Sequence, residues 1–173
     1  MQELQMNTAL TTDIPELVLL INSAYRGESS KQGWTTEADL IDGNRMNAVS
    51  LTEMINSPDV IVRKCIDYNS RIVGCAYLEI RQDELYLGLL TVSSEIQAKG
   101  IGKLILNDAE EMARKRGLSS LLLDVISLRK ELISYYIRRG FKLTGEKLEF
   151  PTDNKFGSRP LQRLELVELR KYI

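Results

Sequence analysis

Leu17, Leu20, Ile21 and Ala24 recur at the spacing of one helix face, with Asp13 ahead of them as an N-cap, Pro15 near the first helical position and Gly27 as a stop. A short strand over Thr8–Thr12 precedes that helix. From Arg26 to Asn47 the chain turns polar, a loop-rich stretch with several glycines, the only tryptophan (Trp34) and a short helix around Thr36–Ile41. Ser50 caps a further short helix, which Pro58 ends. Val60–Ile66, Arg71–Ile80 and Glu84–Ser93 read as three strands. Asp67-Tyr68-Asn69-Ser70 and Arg81-Gln82-Asp83 join them with residues suited to tight turns, so they form an antiparallel meander.

The rhythm then changes. Ile101, Leu104, Ile105, Ala109, Met112 and Ala113 mark the apolar face of a long helix, with Lys103, Glu110, Glu111, Arg114 and Lys115 on the other side. Gly117 follows as a left-handed cap, behind a basic last turn that suits the helix dipole. Leu121–Ile126 has the apolar run of a buried strand. A helix over about Lys130–Arg139 stops at Gly140, and Phe141–Leu148 and Leu161–Leu169 complete the strands. The strand–helix–strand passage from Leu85 through Ile126 implies a right-handed parallel crossover. The expected fold is therefore α/β (α+β), a mixed central sheet of six to seven strands flanked by helices. Residues 1–173 show no repeat, linker or low-complexity segment and read as one domain.

Composition narrows the chemistry. The 23 basic and 24 acidic residues nearly cancel, which gives no concentrated positive field for nucleic acid or an acidic membrane. No apolar run approaches the roughly 20 residues that cross a bilayer, and Met1–Leu10 lacks a secretory pattern. Cys65 and Cys75 lie in strand-like apolar runs and read as core thiols of a reducing, cytoplasmic compartment. The chain has no histidine. That excludes histidine triads, histidine bases and histidine metal ligands, and no metal site is expected. Chemistry must rest on carboxylates, tyrosines, hydroxyls, backbone amides or water.

The segment Leu90-Thr91-Val92-Ser93-Ser94-Glu95-Ile96-Gln97-Ala98-Lys99-Gly100-Ile101-Gly102-Lys103 closes a strand and opens a helix across two glycines. A helix start leaves amide donors unpaired at the positive end of the dipole, and glycines let a bulky anion approach the backbone. This is a phosphate cradle, but not of two familiar kinds. A dinucleotide fingerprint needs glycine or alanine where Ile105 stands. A Walker loop needs Ser or Thr at Leu104 and glycine at Gln97.

Gln97-x-x-Gly100-x-Gly102 closely resembles the acetyl-CoA pyrophosphate signature of the GNAT N-acetyltransferase superfamily. Leu90-Thr91-Val92 looks like the strand whose backbone pairs with pantetheine in that family. Tyr135-Tyr136-Ile137-Arg138-Arg139-Gly140-Phe141 resembles its second hallmark, a tyrosine four residues before Gly-Phe. The resemblance spans roughly Asp59–Leu169. It implies a sheet splayed between its fourth and fifth strands, acetyl-CoA in the split, and transfer of the acetyl group to a primary amine of a small molecule or peptide. The alternative is a non-catalytic acyl-CoA-binding or sensing module. Family members often carry asparagine seven residues before the tyrosine, where this chain has Arg129.

The resemblance implies a role for each of these positions. Tyr136 is the candidate donor of a proton or hydrogen bond to the coenzyme sulfur, with Tyr135 second. Leu90, Thr91, Val92, Gln97, Ala98, Lys99, Gly100, Ile101, Gly102 and Lys103 surround the coenzyme. Arg129 contacts the cofactor arm, a phosphate or the acceptor. Glu79, late in its strand, is the first candidate for the base, with Glu37 and Asp124 behind it and water relays as an alternative. Trp34 and Glu37 lie where the family builds its acceptor pocket, as a lid over a cationic substrate. A monomer or a homodimer is compatible with the pattern.

Overall fold

The meander forms the middle of a seven-stranded mixed sheet in the computed structural model, which describes residues 3–26, 30–33, 36–96, 99–151 and 159–173. In chain order the elements are β1 (Gln5–Thr8), a 3-10 turn (Thr11–Asp13), α1 (Ile14–Tyr25), β2 (Ile41–Asp42), α2 (Ala48–Asn56), β3 (Val60–Ile66), β4 (Ile72–Arg81) and β5 (Glu84–Val92). They continue with α3 (Ile101–Lys115), β6 (Ser120–Ile126), α4 (Lys130–Arg138), β7 (Lys142–Glu149), β8 (Arg159–Pro160) and β9 (Glu165–Tyr172). The sheet order is β1-β3-β4-β5-β6-β9-β7, and β2 pairs with β8 in a small ribbon. Among the described residues only β5 and β6 run parallel, as the crossover through α3 requires.

Several boundaries differ from the sequence expectations. The first strand is Gln5–Thr8 rather than Thr8–Thr12, because the Asp13 carboxylate accepts the Leu10 N–H at 2.8 Å and folds that stretch into a turn. Asn47 rather than Ser50 caps α2, its side-chain oxygen accepting the Ser50 N–H at 2.8 Å. The expected helix over Thr36–Ile41 is a turn at residues 38–40 followed by β2, which pairs Ile41 with Pro160 and Asp42 with Arg159. That long-range ribbon ties down the chain near Leu161, whose N–H reaches Leu40 O at 2.8 Å, so the last strand begins only at Glu165.

Two apolar layers hold the sheet. On one face α1 and α2 bury Leu17, Ile21 and Leu51 against Val62, Ile72 and Cys75. On the other, Leu106, Ala109 and Ala113 of α3 and Ile133 and Tyr136 of α4 pack on Leu85, Leu121 and Leu123. Gly74 of β4 sets how closely α3 approaches. A Cβ there would stand 2.9 Å from both Ile105 Cδ1 and the Thr91 carbonyl oxygen, and the carbonyl cannot yield without moving β5. Gly74→Ala is therefore expected to destabilise the protein by roughly 1–3 kcal/mol, read as a lower denaturation midpoint at unchanged slope.

β5 and β6 do not stay together. Their register holds at Glu84–Ser120, Leu85–Leu121 and Tyr86–Leu122 and then ends, although both strands continue for several residues. The sheet thus opens between the strands that end at Val92 and Ile126.

Candidate active site

The opening begins with a bulge. Thr91 pairs with Cys75 and Gly88 with Tyr77, which leaves Leu89 and Leu90 together opposite Ala76. Leu89 takes a positive φ of 50°, a left-handed conformation that costs a branched residue on the order of 1–2 kcal/mol. Side chains hold it there. Thr91 Oγ1 donates to Leu89 O at 2.8 Å, and the buried Tyr25 hydroxyl at the end of α1 donates to Leu90 O. The bulge bends β5, and from Leu87 onward its edge has no pairing with β6.

A cavity of about 330 Å³ fills the gap, lined by β5 residues Leu87–Leu90, β6 residues Leu123–Ile126, and side chains from α1, α4 and the loop after α1. Its polar wall is a buried ion cluster. The Arg26 guanidinium donates from Nε and Nη2 to Glu37 Oε2 at 3.3 and 3.0 Å, and from Nη1 to the carbonyls of Gly43 and Asn44. Arg129 Nη1 reaches the other Glu37 oxygen at 3.5 Å. Arg45 sits on the same wall, its guanidinium 5.9 Å from the centre of the Tyr25 ring.

Asp124 of β6 and Tyr136 of α4 also line the cavity. Burial pushes the Asp124 carboxyl above the usual range, with Tyr86 drawing it back and Glu168 adding to the rise. Its Oδ1 is buried without a hydrogen-bond partner among the described residues. Burial likewise drives the Tyr136 hydroxyl well above 10, with Tyr25 and Tyr135 reinforcing the shift. Phe141 and Tyr135 clamp the Tyr136 ring edge-on, with ring centres 5.6 and 5.4 Å away. A proton therefore stays on this hydroxyl at neutral pH.

The phosphate cradle expected from the sequence is the start of α3. Gly100 is its N-cap at φ 80°, no side chain caps it among the described residues, and its first turn holds no acidic residue. The first helical bond runs from Leu104 N–H to Gly100 O, so the amides of Ile101, Gly102 and Lys103 precede the ladder. A Cβ at Gly102 would come within 2.9 Å of the Tyr135 hydroxyl and 3.9 Å of Val92, so α3, α4 and β5 approach one another closely at this glycine. Lys99 and Lys103 are exposed beside it. These features suit a diphosphate and an extended amide-bearing arm. Gln97, Ala98 and Trp34 lie outside the described residues.

Other expectations shift. Glu79 does not line the cavity. Its Oε2 accepts from Arg81 Nε and Nη2 at 3.0 and 2.8 Å and from the Tyr77 hydroxyl at 3.1 Å. Glu37 does line the cavity, yet its carboxylate is taken up by two arginines rather than open to a cationic substrate. Arg129 joins that arginine wall. Arg45 belongs to the Asp42-Gly43-Asn44-Arg45 stretch that the family resemblance places at the acceptor pocket, whereas Tyr25, Arg26 and Tyr86 carry no motif and meet the cavity only through the fold.

Both cysteines are free and buried, the Cys65 thiol pushed to about 11 and the Cys75 thiol to about 12 by burial. Thiolates this scarce react slowly. The native protein is expected to show no reaction with a disulfide-exchange thiol reagent on the timescale of an assay, and two thiols after denaturation. Among the described residues no cluster could hold a metal ion, and no helix is long and apolar enough to cross a membrane.

Comparison with known proteins agrees with this geometry. A family model described as the acetyltransferase (GNAT) family matches residues 21–141. No curated protein matches the sequence. Among solved structures, the ribosomal-protein-S18-alanine N-acetyltransferase of Escherichia coli superposes with a TM-score of 0.73 at 16% identity, over 99% of this chain and 94% of that one. The ribosomal-protein-alanine N-acetyltransferase of Brucella melitensis gives 0.71 at 19% identity, over 98% and 99%. A candidate streptothricin acetyltransferase of Bacillus anthracis, solved with acetyl coenzyme A, gives 0.56 at 18% identity over 70% and 67%. At these identities the structures establish a shared fold.

Proposed function

The chain belongs to the acetyltransferase (GNAT) family and is an acyltransferase that uses acetyl-CoA, and we propose that it acetylates a primary amine of a small molecule or peptide directly, with Asp124 as base and Tyr136 as acid. The observation that carries this reading is the meeting of both groups in one cavity at the open edge of β5. The donor supplies an electrophilic thioester carbonyl and a thiolate leaving group. The residues named here bind, orient and move protons.

An amine of lysine-like pKa, about 10.4, is almost wholly protonated at pH 7, so the larger task is to remove its proton. Asp124 suits that task because burial makes it a stronger base than an exposed carboxylate, and its Oδ1 has no other partner among the described residues. The Tyr136 hydroxyl keeps its proton and offers it to the departing sulfur. The β5 bulge presents backbone near Leu90 toward the carbonyl, and the Tyr25 hydroxyl holds that backbone through the Leu90 carbonyl. Gly100, Ile101, Gly102 and Lys103 are the residues to hold the diphosphate, with Leu90, Thr91 and Val92 along the arm.

Direct attack is favoured over a covalent relay. Neither cysteine lines the cavity, and both thiols are shifted far from reactivity. The test is release of coenzyme thiol from acetyl-CoA across a panel of primary amines. Amine-dependent release is expected, with the N-acetylated amine as product and no free acetate. Release that ignores the amine, or tight donor binding with no acceptor turned over, counts against the reading.

A further inference from the structure

Three buried side-chain polar atoms lack a hydrogen-bond partner among the described residues: Asp124 Oδ1, Arg129 Nη2 and Arg139 Nε. The third belongs to a guanidinium lying 5.1 Å from the centre of the Tyr135 ring, and Arg139 does not line the cavity. The other two are opposite in charge and line the same cavity. Buried polar atoms in native interiors are nearly always paired, so two orphans of opposite sign in one pocket need a common explanation.

The Arg129 side chain is only 9% exposed, and its other terminal nitrogen is already engaged by Glu37. Arg26 has its donors committed to Glu37, Gly43 and Asn44. The charged lining is Arg26, Arg45 and Arg129 against Glu37 and Asp124, one cation in excess. A purely cationic acceptor would add to that excess. A carboxylate would cancel it and supply the planar partner that a guanidinium prefers.

We propose that the acceptor is an amino acid, its carboxylate held by Arg129 Nη2 and its amine presented to Asp124. This rests on the reading of the cavity as the acceptor site. It assigns Arg129 to the acceptor rather than to the coenzyme arm, and it explains both orphan atoms with a single zwitterionic molecule. Arg129 reaches the cavity from the N-cap of α4, and Glu37 steadies it from the loop after α1. Arg45 on the same wall adds positive potential at the carboxylate end. The ammonium loses one proton to Asp124, the freed nitrogen bonds the acetyl carbon, and as the C–S bond breaks Tyr136 passes its proton to the sulfur and is restored by the second proton leaving the nitrogen.

The test compares free amino acids (small neutral, acidic and basic) with their own carboxamides as acceptors at saturating acetyl-CoA. A charged hydrogen bond contributes about 1.5–3 kcal/mol, so the acid is expected to show a KM roughly 10- to 100-fold below that of its amide. Arg129→Met should raise the KM for the acid toward that of the amide and leave the KM for acetyl-CoA in place. Equal KM values for acid and amide in the wild type would overturn the assignment, and this comparison needs no variant to fold. A rise in the acetyl-CoA KM of Arg129→Met with the acceptor unaffected would overturn it too, by placing Arg129 on the coenzyme. Turnover of plain amines but of no amino acid would remove this inference and leave the roles of Asp124 and Tyr136 standing. Failure of every amine with acetyl-CoA bound would remove both.

Discussion

Asp124→Asn is expected to lower kcat/KM for the amine by about 10²–10³-fold while leaving the fold intact, the loss typical of a positioned general base. The stability half of this expectation separates a chemical role from a structural one. A carboxyl raised by burial contributes stability below its unfolded value, near 3.8, and loses that contribution as pH climbs through the raised value. Once ionised, the buried Asp124 is a burden on the folded state, and asparagine relieves it. The melting temperature of Asp124→Asn at pH 7 should equal or exceed that of the wild type. The acid-side limb of the kcat/KM profile, which reports ionisation of Asp124, should be present in the wild type and missing in the variant. Tyr136→Phe should cost less, around tenfold, because a thiolate of pKa near 8.5 departs with little assistance.

Glu37→Gln is expected to produce the largest loss of stability among the site variants. Glu37 is the shared anion of Arg26 and Arg129, all three side chains being at most 10% exposed. Burial works against the charge on Arg26, and Glu37 is the first group that restores it. Removing one partner of a buried pair leaves the other charge uncompensated and costs about 3 kcal/mol or more. In a chain of this length that is a fall of roughly 6–12 °C in the melting temperature. Glu37→Gln should also raise the KM for the acceptor, since Arg129 loses the group that orients it. A melting temperature within a degree of wild type would show that the arginines find other partners and that the cluster is not a structural unit.

Much of the fold was legible in the sequence because local signals and tertiary packing agree. The face of α3 from Ile101 to Ala113, its glycine stop and the meander of β3, β4 and β5 all follow from periodicity and turn residues. The opening between β5 and β6 came from resemblance rather than from any pattern in the residues. The misplaced ends lack such signals. Gln5–Thr8 is mostly exposed and shows no apolar alternation, and its pairing with β3 brings together residues more than 50 positions apart. The start of β9 depends on a ribbon between Asp42 and Arg159.

At the site, residue type was readable and direction was not. Glu79 and Asp124 are both carboxylates in apolar strands, and only the divergence of β6 from β5 decides which one meets the cavity. One signal was available. Tyr77, Glu79 and Arg81 alternate along β4, so their side chains share a face and can satisfy one another. No such spacing links Glu37 with Arg129, which are separated by 92 positions and meet only in the folded chain.

The most direct test of the central claim is the crystal structure of the protein with coenzyme A. The coenzyme sulfur is expected at the mouth of the cavity, within hydrogen-bonding reach of the Tyr136 hydroxyl, and the diphosphate on the amides that open α3. A sulfur held beside Tyr135 at Gly102, or anywhere that leaves Asp124 and Tyr136 out of reach of the acetyl position, would contradict that claim.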